Sequence, residues 1–391
     1  MAEARIAIIG GGISGMSSAI ALQRKGIHAE VFEKDKEFIG PDTGLVLSGN
    51  AVRAYYIMGL GAQLLEKGLA TDRCLLKSDS GAVIAEFDYQ APSHIPNYLF
   101  IQRSALYRIL TDALLPGTLH FDKHLVDIKW ESPIQKLYFK DGTCTEADYL
   151  IGCDGAASKI RSILMPDSKL DFSGFVCWRG LIKDPPVNST TYTETWGPRG
   201  RFGIAPMPGN QLYWYAFKKA EQGKSDLSNW TPIDLLFNFF YYHDPIQEIL
   251  ENTTPENLIY DELYELKPLE HFHLGNILLI GDSAHASIPN IGQGASQAAE
   301  DAVFLAKWFS TEDTIPNAFK MYERHRHERT KRVKNEMKMY GMAAQIDFPI
   351  LCSIRNKLLQ MAPASYHNEK LRKVIEIDGE FQNDTFGRSS Q

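Results

Sequence analysis

An α/β protein in which an antiparallel sheet interrupts a parallel one is predicted by three observations. The first is the opening segment RIAIIGGGISG at residues 5–15, followed by a strand-like run that ends at Glu33. The second is a pair of later apolar runs, residues 149–152 and 277–280, each leading into a turn that carries Gly and Asp. The third is a change of character at residues 171–271, where aromatics crowd between Pro and Gly turns, as in an antiparallel sheet.

Ile6, Ala7, Ile8 and Ile9 form an apolar strand, and Gly10, Gly12 and Gly15 follow in G-x-G-x-x-G spacing before a helical run that ends near Gly26. Gly10 permits the tight turn, Gly12 lets backbone amides approach a pyrophosphate, and Gly15 lets helix and strand pack closely. The helix N-terminus supplies partial positive charge to the phosphates. Glu33 lies 18 residues beyond Gly15, at the end of the second strand, where it can accept both hydroxyls of an adenosine ribose. Glycines alone often mark only a turn. Strand, helix and terminal acid together indicate a Rossmann-type dinucleotide site, without choosing between FAD and NAD.

Residues 1–72, 98–170 and 272–310 are expected to form this nucleotide-binding domain in three pieces. Residues 73–97, alternating around the turn Asp79-Ser80-Gly81, and 171–271 form a second, substrate domain; residues 311–391 are a helical C-terminal region. Within that region, residues 317–345 read as a long charged helix, and Arg324, Arg326, Arg329, Lys331, Arg332 and Lys334 as its solvated face, the alternative being a phosphate-binding role. Residues 339–354 are apolar but too short to span a bilayer and carry Asp347, so they read as a helix packed on the body, the alternative being attachment to a membrane surface.

The chain has 391 residues, more than one ordinary core, with 44% hydrophobic and 11% aromatic content. Its net charge of −7 argues against nucleic acid as the main partner. Five cysteines lack metal-type spacing and read as reduced thiols of a cytoplasmic protein. A strand begins by residue 5, which leaves no room for a signal peptide.

Two further motifs carry chemistry. In Cys153-Asp154-Gly155-x-x-Ser158-x-x-Arg161, an apolar strand delivers Asp154 to a turn and Ser158 can cap the helix that follows. In Gly281-Asp282-Ser283-Ala284-His285, with Pro289 and Gly292-Gln293-Gly294 behind it, a strand presents Asp282 where a polyol hydroxyl could bind. The glycine-rich loop then opens a helix whose N-terminus can face an electron-rich ring.

GxGxxG, then DGxxSxxR, then GD with Pro and GxG, in this order over residues 4–310, resembles the group A FAD-dependent monooxygenases of para-hydroxybenzoate hydroxylase fold. The segments FSGF at 172–175, WRG at 178–180 and YWYAF at 213–217 look closest to the branch holding urate hydroxylase, salicylate hydroxylase and zeaxanthin epoxidase. Ser296 and Gln297 depart from relatives that often carry Asn there, and no thioredoxin-like extension is evident.

The resemblance implies that Gly10, Gly12, Ser14 and Gly15 surround the pyrophosphate of a non-covalent FAD, that Glu33 holds the adenosine ribose and that Lys34 borders it. Arg103 would reach the phosphate and ribityl region, or stand as a plain surface arginine. Leu125 would touch adenine through its backbone. Asp282 would bind a ribityl hydroxyl, while Gly292, Gln293 and Gly294 offer amides to the flavin pyrimidine edge. Asp154 is associated with FAD and NADPH contact, or is a buried turn-former. Pro289 would shape the loop beside the flavin, and His285 reads as a packing residue rather than a base.

The implied reaction takes NADPH or NADH and O2, and hydroxylates or epoxidises an aromatic, heteroaromatic or polyene small molecule through a flavin C4a-hydroperoxide. Arg201 and Tyr213, flanking Pro206, are the expected substrate contacts; the competing reading is an edge-strand Arg and a core Tyr. Phe202, Trp178 and Trp214 would wall the pocket or fill the sheet core. A flavin oxidoreductase without oxygen insertion and a non-catalytic FAD-retaining sensor are the alternatives. The absence of a WxWxIP segment speaks against a halogenase.

Overall fold

The computed structural model describes residues 4–38, 43–89, 95–131, 134–187, 190–223, 226–290, 292–377 and 381. A six-stranded sheet runs in the order His273–Leu274, Ile277–Leu279, Tyr149–Gly152, Ile6–Ile9, Glu30–Phe32, Leu119–His120. All its pairings are parallel except the first. The central strands Ile277–Leu279, Tyr149–Gly152 and Ile6–Ile9 are largely buried and apolar because helices cover the sheet. The helix after the fingerprint, α1 (Ile13–Gln23), and the long helix α2 (Gln293–Thr311) supply much of that cover, through Met16, Ala19, Ile20, Val303 and Phe304.

The second large sheet has seven strands in the order Ile259–Leu266, Leu170–Lys183, Gln211–Lys219, Gly200–Met207, Tyr192–Gly197, Cys74–Ser78, Val83–Phe87. It is antiparallel except where Tyr192–Gly197 meets Cys74–Ser78. Its two faces have different partners. Trp178, Trp214 and Phe202 pack on Leu235, Ile246 and Ile249 of the short helices Pro232–Asn238 and Ile246–Glu251, and on Phe239 just after the first; these helices lie within a span the sequence reads as sheet. Strand alternation turns these three aromatics into the sheet's own core.

The opposite face, carrying Arg179, Arg201, Tyr213, Tyr215 and Phe217, is turned toward the loops of the parallel sheet and the C-terminal helices. Cross-strand register sets this, since Arg179 pairs with Tyr215 and Arg201 with Phe217. Two three-stranded antiparallel sheets complete the β-structure, Leu125–Glu131 with Ile134–Phe139 and Cys144–Ala147, and Gly44–Ser48 with Tyr98–Gln102 and Leu69–Thr71.

The C-terminal region consists of α3 (Ile315–Ala344), α4 (Pro349–Met361) and the helix Ala364–Ile375. The basic run on α3 is not uniformly solvated, which corrects the expectation. Arg326 and Arg329 are buried, because Glu300 and Asp301 of α2 face them. Residues 339–354 are not one helix either, since the chain breaks between α3 and α4. Among the described residues no helix is long and apolar enough to cross a membrane.

Candidate active site

The fingerprint turn is built by close backbone contact. A Cβ on Gly15 would lie 1.9 Å from the Gly10 carbonyl oxygen, and one on Gly10, whose φ is +105°, 2.3 Å from the Cys153 carbonyl oxygen. Gly12 is different: a Cβ there would meet nothing nearer than the Tyr107 hydroxyl at 3.9 Å. The open side at Gly12 leads directly into α1, which has no side-chain cap at its N-terminus. Its first amides are therefore donors available to an anion. Ser14, in that first turn, approaches the second loop, with its hydroxyl 2.6 Å from where a Gly281 Cβ would stand.

Glu33 is held in place by backbone amides. Its carboxylate accepts the Gly11 amide at 2.5 Å and the Asp35 amide at 3.0 Å. The Lys123 amide donates to the Glu33 carbonyl at 2.7 Å, which brings the segment leading into Leu125 alongside Glu33 and exposed Lys34. Arg103 is exposed at the start of the helix Arg103–Ala113 and donates to the Tyr107 hydroxyl at 3.0 Å. Through Tyr107 it flanks the open side of Gly12.

Asp154 accepts the Lys159 and Ile160 amides at 2.7 and 3.1 Å, so it caps the helix Lys159–Leu164 as a turn-former. Ser158 caps the same helix by accepting the Arg161 amide at 2.9 Å. Arg161 ties the turn to the next loop, donating to the Ser283 carbonyl at 3.0 Å.

Asp282 is exposed at the end of Ile277–Leu279, yet its surroundings desolvate it enough to raise the carboxyl above the usual range; His285 opposes this shift and Asp301 adds to it. Asp301 accepts the Gly281 amide at 2.9 Å and faces His285 Nε2 at 2.8 Å. His285 is thus a structural partner of a buried carboxylate. Burial opposes ionisation of Asp301 and Glu300, but Arg326 with His285, and Arg329 with Arg326, outweigh it and hold both at about 2. Sequence reading missed this network, although Glu300-Asp301 opposite a run of arginines was a signal for it.

Gly292 begins α2 with φ +65°, again without a side-chain cap. The Gln293 side chain is buried, its oxygen accepting from Gln297 at 2.9 Å and from Asn50 at 3.3 Å. Pro289, Gly292 and Gly294 line a cavity of about 170 Å³ whose far wall is Arg179, Tyr213 and Phe217 of the seven-stranded sheet. Gly44 lets Tyr213 approach, since a Cβ there would fall 2.4 Å from the ring. Burial raises the Tyr213 hydroxyl well above its ordinary value, despite the nearby Arg179 guanidinium, so it stays protonated.

Arg201, expected on the substrate, does not line this cavity. It is fully buried, donates to the Asn290 carbonyl at 3.0 Å and to its side-chain oxygen at 3.2 Å, and stacks over Phe217. Tyr340 and Asn290 cover it. The arginine of the cavity is Arg179, ion-paired with Asp261, which the sequence reading passed over inside its Trp-Arg-Gly segment.

The donors fit FAD. Two uncapped helix N-termini, the open side of Gly12 and the buried Glu33 carboxylate stand between Glu33 and Pro289. Glu33, α1, Arg103 and Asp282 would hold its adenosine, pyrophosphate and ribityl parts, and Pro289 with the start of α2 its ring.

This fold and site define a flavin-dependent oxidoreductase in which the glycine loops face a separate antiparallel sheet. A family profile described as FAD binding domain matches residues 3–223 and 265–337, and the chain belongs to that family of flavoprotein monooxygenases. It is 28% identical over 375 residues to the aurachin C monooxygenase/isomerase of Stigmatella aurantiaca, covering 95% of this chain and 98% of that one. It is 28% identical to the FAD-dependent urate hydroxylase of Klebsiella oxytoca, over 83% of this chain and 86% of that protein. The zeaxanthin epoxidase of Spinacia oleracea is 31% identical over 77% of this chain, which spans only 47% of that longer protein. Among solved structures, Klebsiella pneumoniae HpxO complexed with FAD and uric acid has the same fold, with a TM-score of 0.86 and 23% identity over 96% of this chain and 97% of that one.

Proposed function

We propose that the protein uses NAD(P)H and O2 to hydroxylate or epoxidise an aromatic, heteroaromatic or polyene small molecule. The observation that carries this reading is the cavity between Pro289 with the start of α2 on one side and Arg179 with Tyr213 on the other. When bound, FAD supplies the redox chemistry, taking two electrons from NAD(P)H and delivering them to O2. One oxygen atom enters the substrate and the other leaves as water.

The chain's own residues orient and protect. Tyr213, protonated, donates a hydrogen bond to a substrate oxygen or nitrogen, and Arg179 holds a carbonyl or anionic group. Val46, Leu45 and Phe217 exclude water from the reacting face. The first amides of α2 favour negative charge on the ring they face. Arg201 acts indirectly, by fixing Asn290 next to Pro289. A cytoplasmic location fits five free cysteines, four of them buried.

The test is a screen of aromatic compounds for stimulated NADPH consumption, followed by product analysis under labelled O2. Label in the product is the expected result. Substrate oxidation without label would make the protein an oxidoreductase without oxygen insertion, and no NAD(P)H oxidation with any compound would leave only a flavin-retaining sensor.

A further inference from the structure

A second cavity, of about 210 Å³, lies between the seven-stranded sheet and the C-terminal helices. Leu76 and Trp196 of the sheet, Ala343 of α3, Leu359 of α4, and Leu371 line it. Several of its polar liners are engaged within the wall. The Tyr340 hydroxyl and Trp196 Nε1 both donate to Glu194, at 2.9 and 2.6 Å. His367 Nε2 faces the Leu359 carbonyl at 3.0 Å, and Lys370 pairs with Glu336 at 3.2 Å. A polar occupant would leave many of its own groups unmatched here, which is costly, whereas an apolar one would not.

The two cavities adjoin. Tyr192 lines both, and Asn290 lines the second while its neighbour Pro289 lines the first. At the outer end, Met339 and Tyr366 line the cavity and are also 59% and 50% exposed, so its mouth opens to solvent through apolar side chains.

We propose that the second cavity is the subsite for a hydrocarbon tail, and that the substrate is a ring compound bearing an extended apolar chain. The ring occupies the cavity at Pro289 and Tyr213; the chain passes Tyr192 and fills the space under α3 and α4. The assignment of the ring end rests on the monooxygenase reading.

Calorimetric titration of the FAD-loaded protein with 4-alkylphenols, from methyl to octyl, tests the tail subsite directly. Affinity is expected to rise about fourfold per added methylene until the cavity is full. Ala343→Phe, which fills the cavity, flattens the series while 4-methylphenol binding and FAD content stay unchanged. Leu359→Trp at the rim does the same should Ala343→Phe fail to fold. A flat series in the unmodified protein, no binding by any member, or an unchanged slope in the folded variants would overturn the proposal. A steep series without oxygen insertion under labelled O2 would instead refute the monooxygenase reading and leave the tail subsite standing.

Discussion

Arg326 donates from Nε to one oxygen of Asp301 at 2.5 Å, while the other oxygen meets His285 at 2.8 Å and the Gly281 amide at 2.9 Å. One carboxylate on α2 thus joins the C-terminal helix α3 to the loop that presents Asp282. The C-terminal region is in this way part of the cofactor site's support.

Arg326→Met should destabilise the protein by about 3–5 kcal/mol, because Asp301 would stay buried with only His285 opposite it and Glu300 would lose one of its two arginines. Urea unfolding measures this. A loss under 1 kcal/mol would mean the ion pairs are not buried as described.

The same carboxylates make stability pH-dependent. Both are held at about 2 in the folded protein, below the roughly 4 of an unfolded chain. Depressed folded values stabilise above the unfolded value, so this contribution is complete above about pH 5 and is lost as pH falls from about 4 toward 2. Urea midpoints at pH 7, 5 and 3 should drop mainly in the last step, and less steeply in Asp301→Asn.

Gly12→Ala and Gly15→Ala should separate cofactor binding from folding. The new methyl at Gly15 collides with the Gly10 carbonyl, whereas at Gly12 it meets nothing nearer than the Tyr107 hydroxyl at 3.9 Å but reaches the open side. Thermal melting without added flavin should be near normal for Gly12→Ala and clearly lowered for Gly15→Ala. FAD content should fall in both.

Asp282→Ala should weaken FAD retention by about 1.5–3 kcal/mol, the worth of a charge-assisted hydrogen bond. His285→Ala should weaken it less, since Asp301 still holds the Gly281 amide. Flavin fluorescence on dilution reads both; equal loss would show that Asp282 does not face the cofactor.

Arg179→Met and Arg201→Met should fail differently. A correct substrate is expected to speed anaerobic flavin reduction at least about tenfold, equivalent to about 1.4 kcal/mol. Arg179→Met loses that stimulation with FAD content intact. Arg201→Met instead leaves buried Glu194, 3.6 Å away, without its cation and lowers stability. Stopped-flow bleaching and urea unfolding together distinguish the two arginines, and an Arg179 variant with full stimulation would remove that residue from the substrate site.

The sequence by itself determined the parts whose partners lie close along the chain. The strand, the glycine turn, α1 and Glu33 were legible because a tight turn and a helix start impose their residue types locally. The Asp154 and Asp282 turns were legible for the same reason, and alternating aromatics marked the second sheet. Tertiary structure alone decided which side chains face what. Arg179 and Arg201 share one sheet face, and only the placement of Tyr340 and Asn290 above Arg201 buries it. Trp178, Phe202 and Trp214 belong to the opposite face, which depends on register with strands tens of residues away. Arg326 and Arg329 looked solvated because their countercharges sit on another helix, and a charge is buried only where a distant segment brings its opposite to meet it.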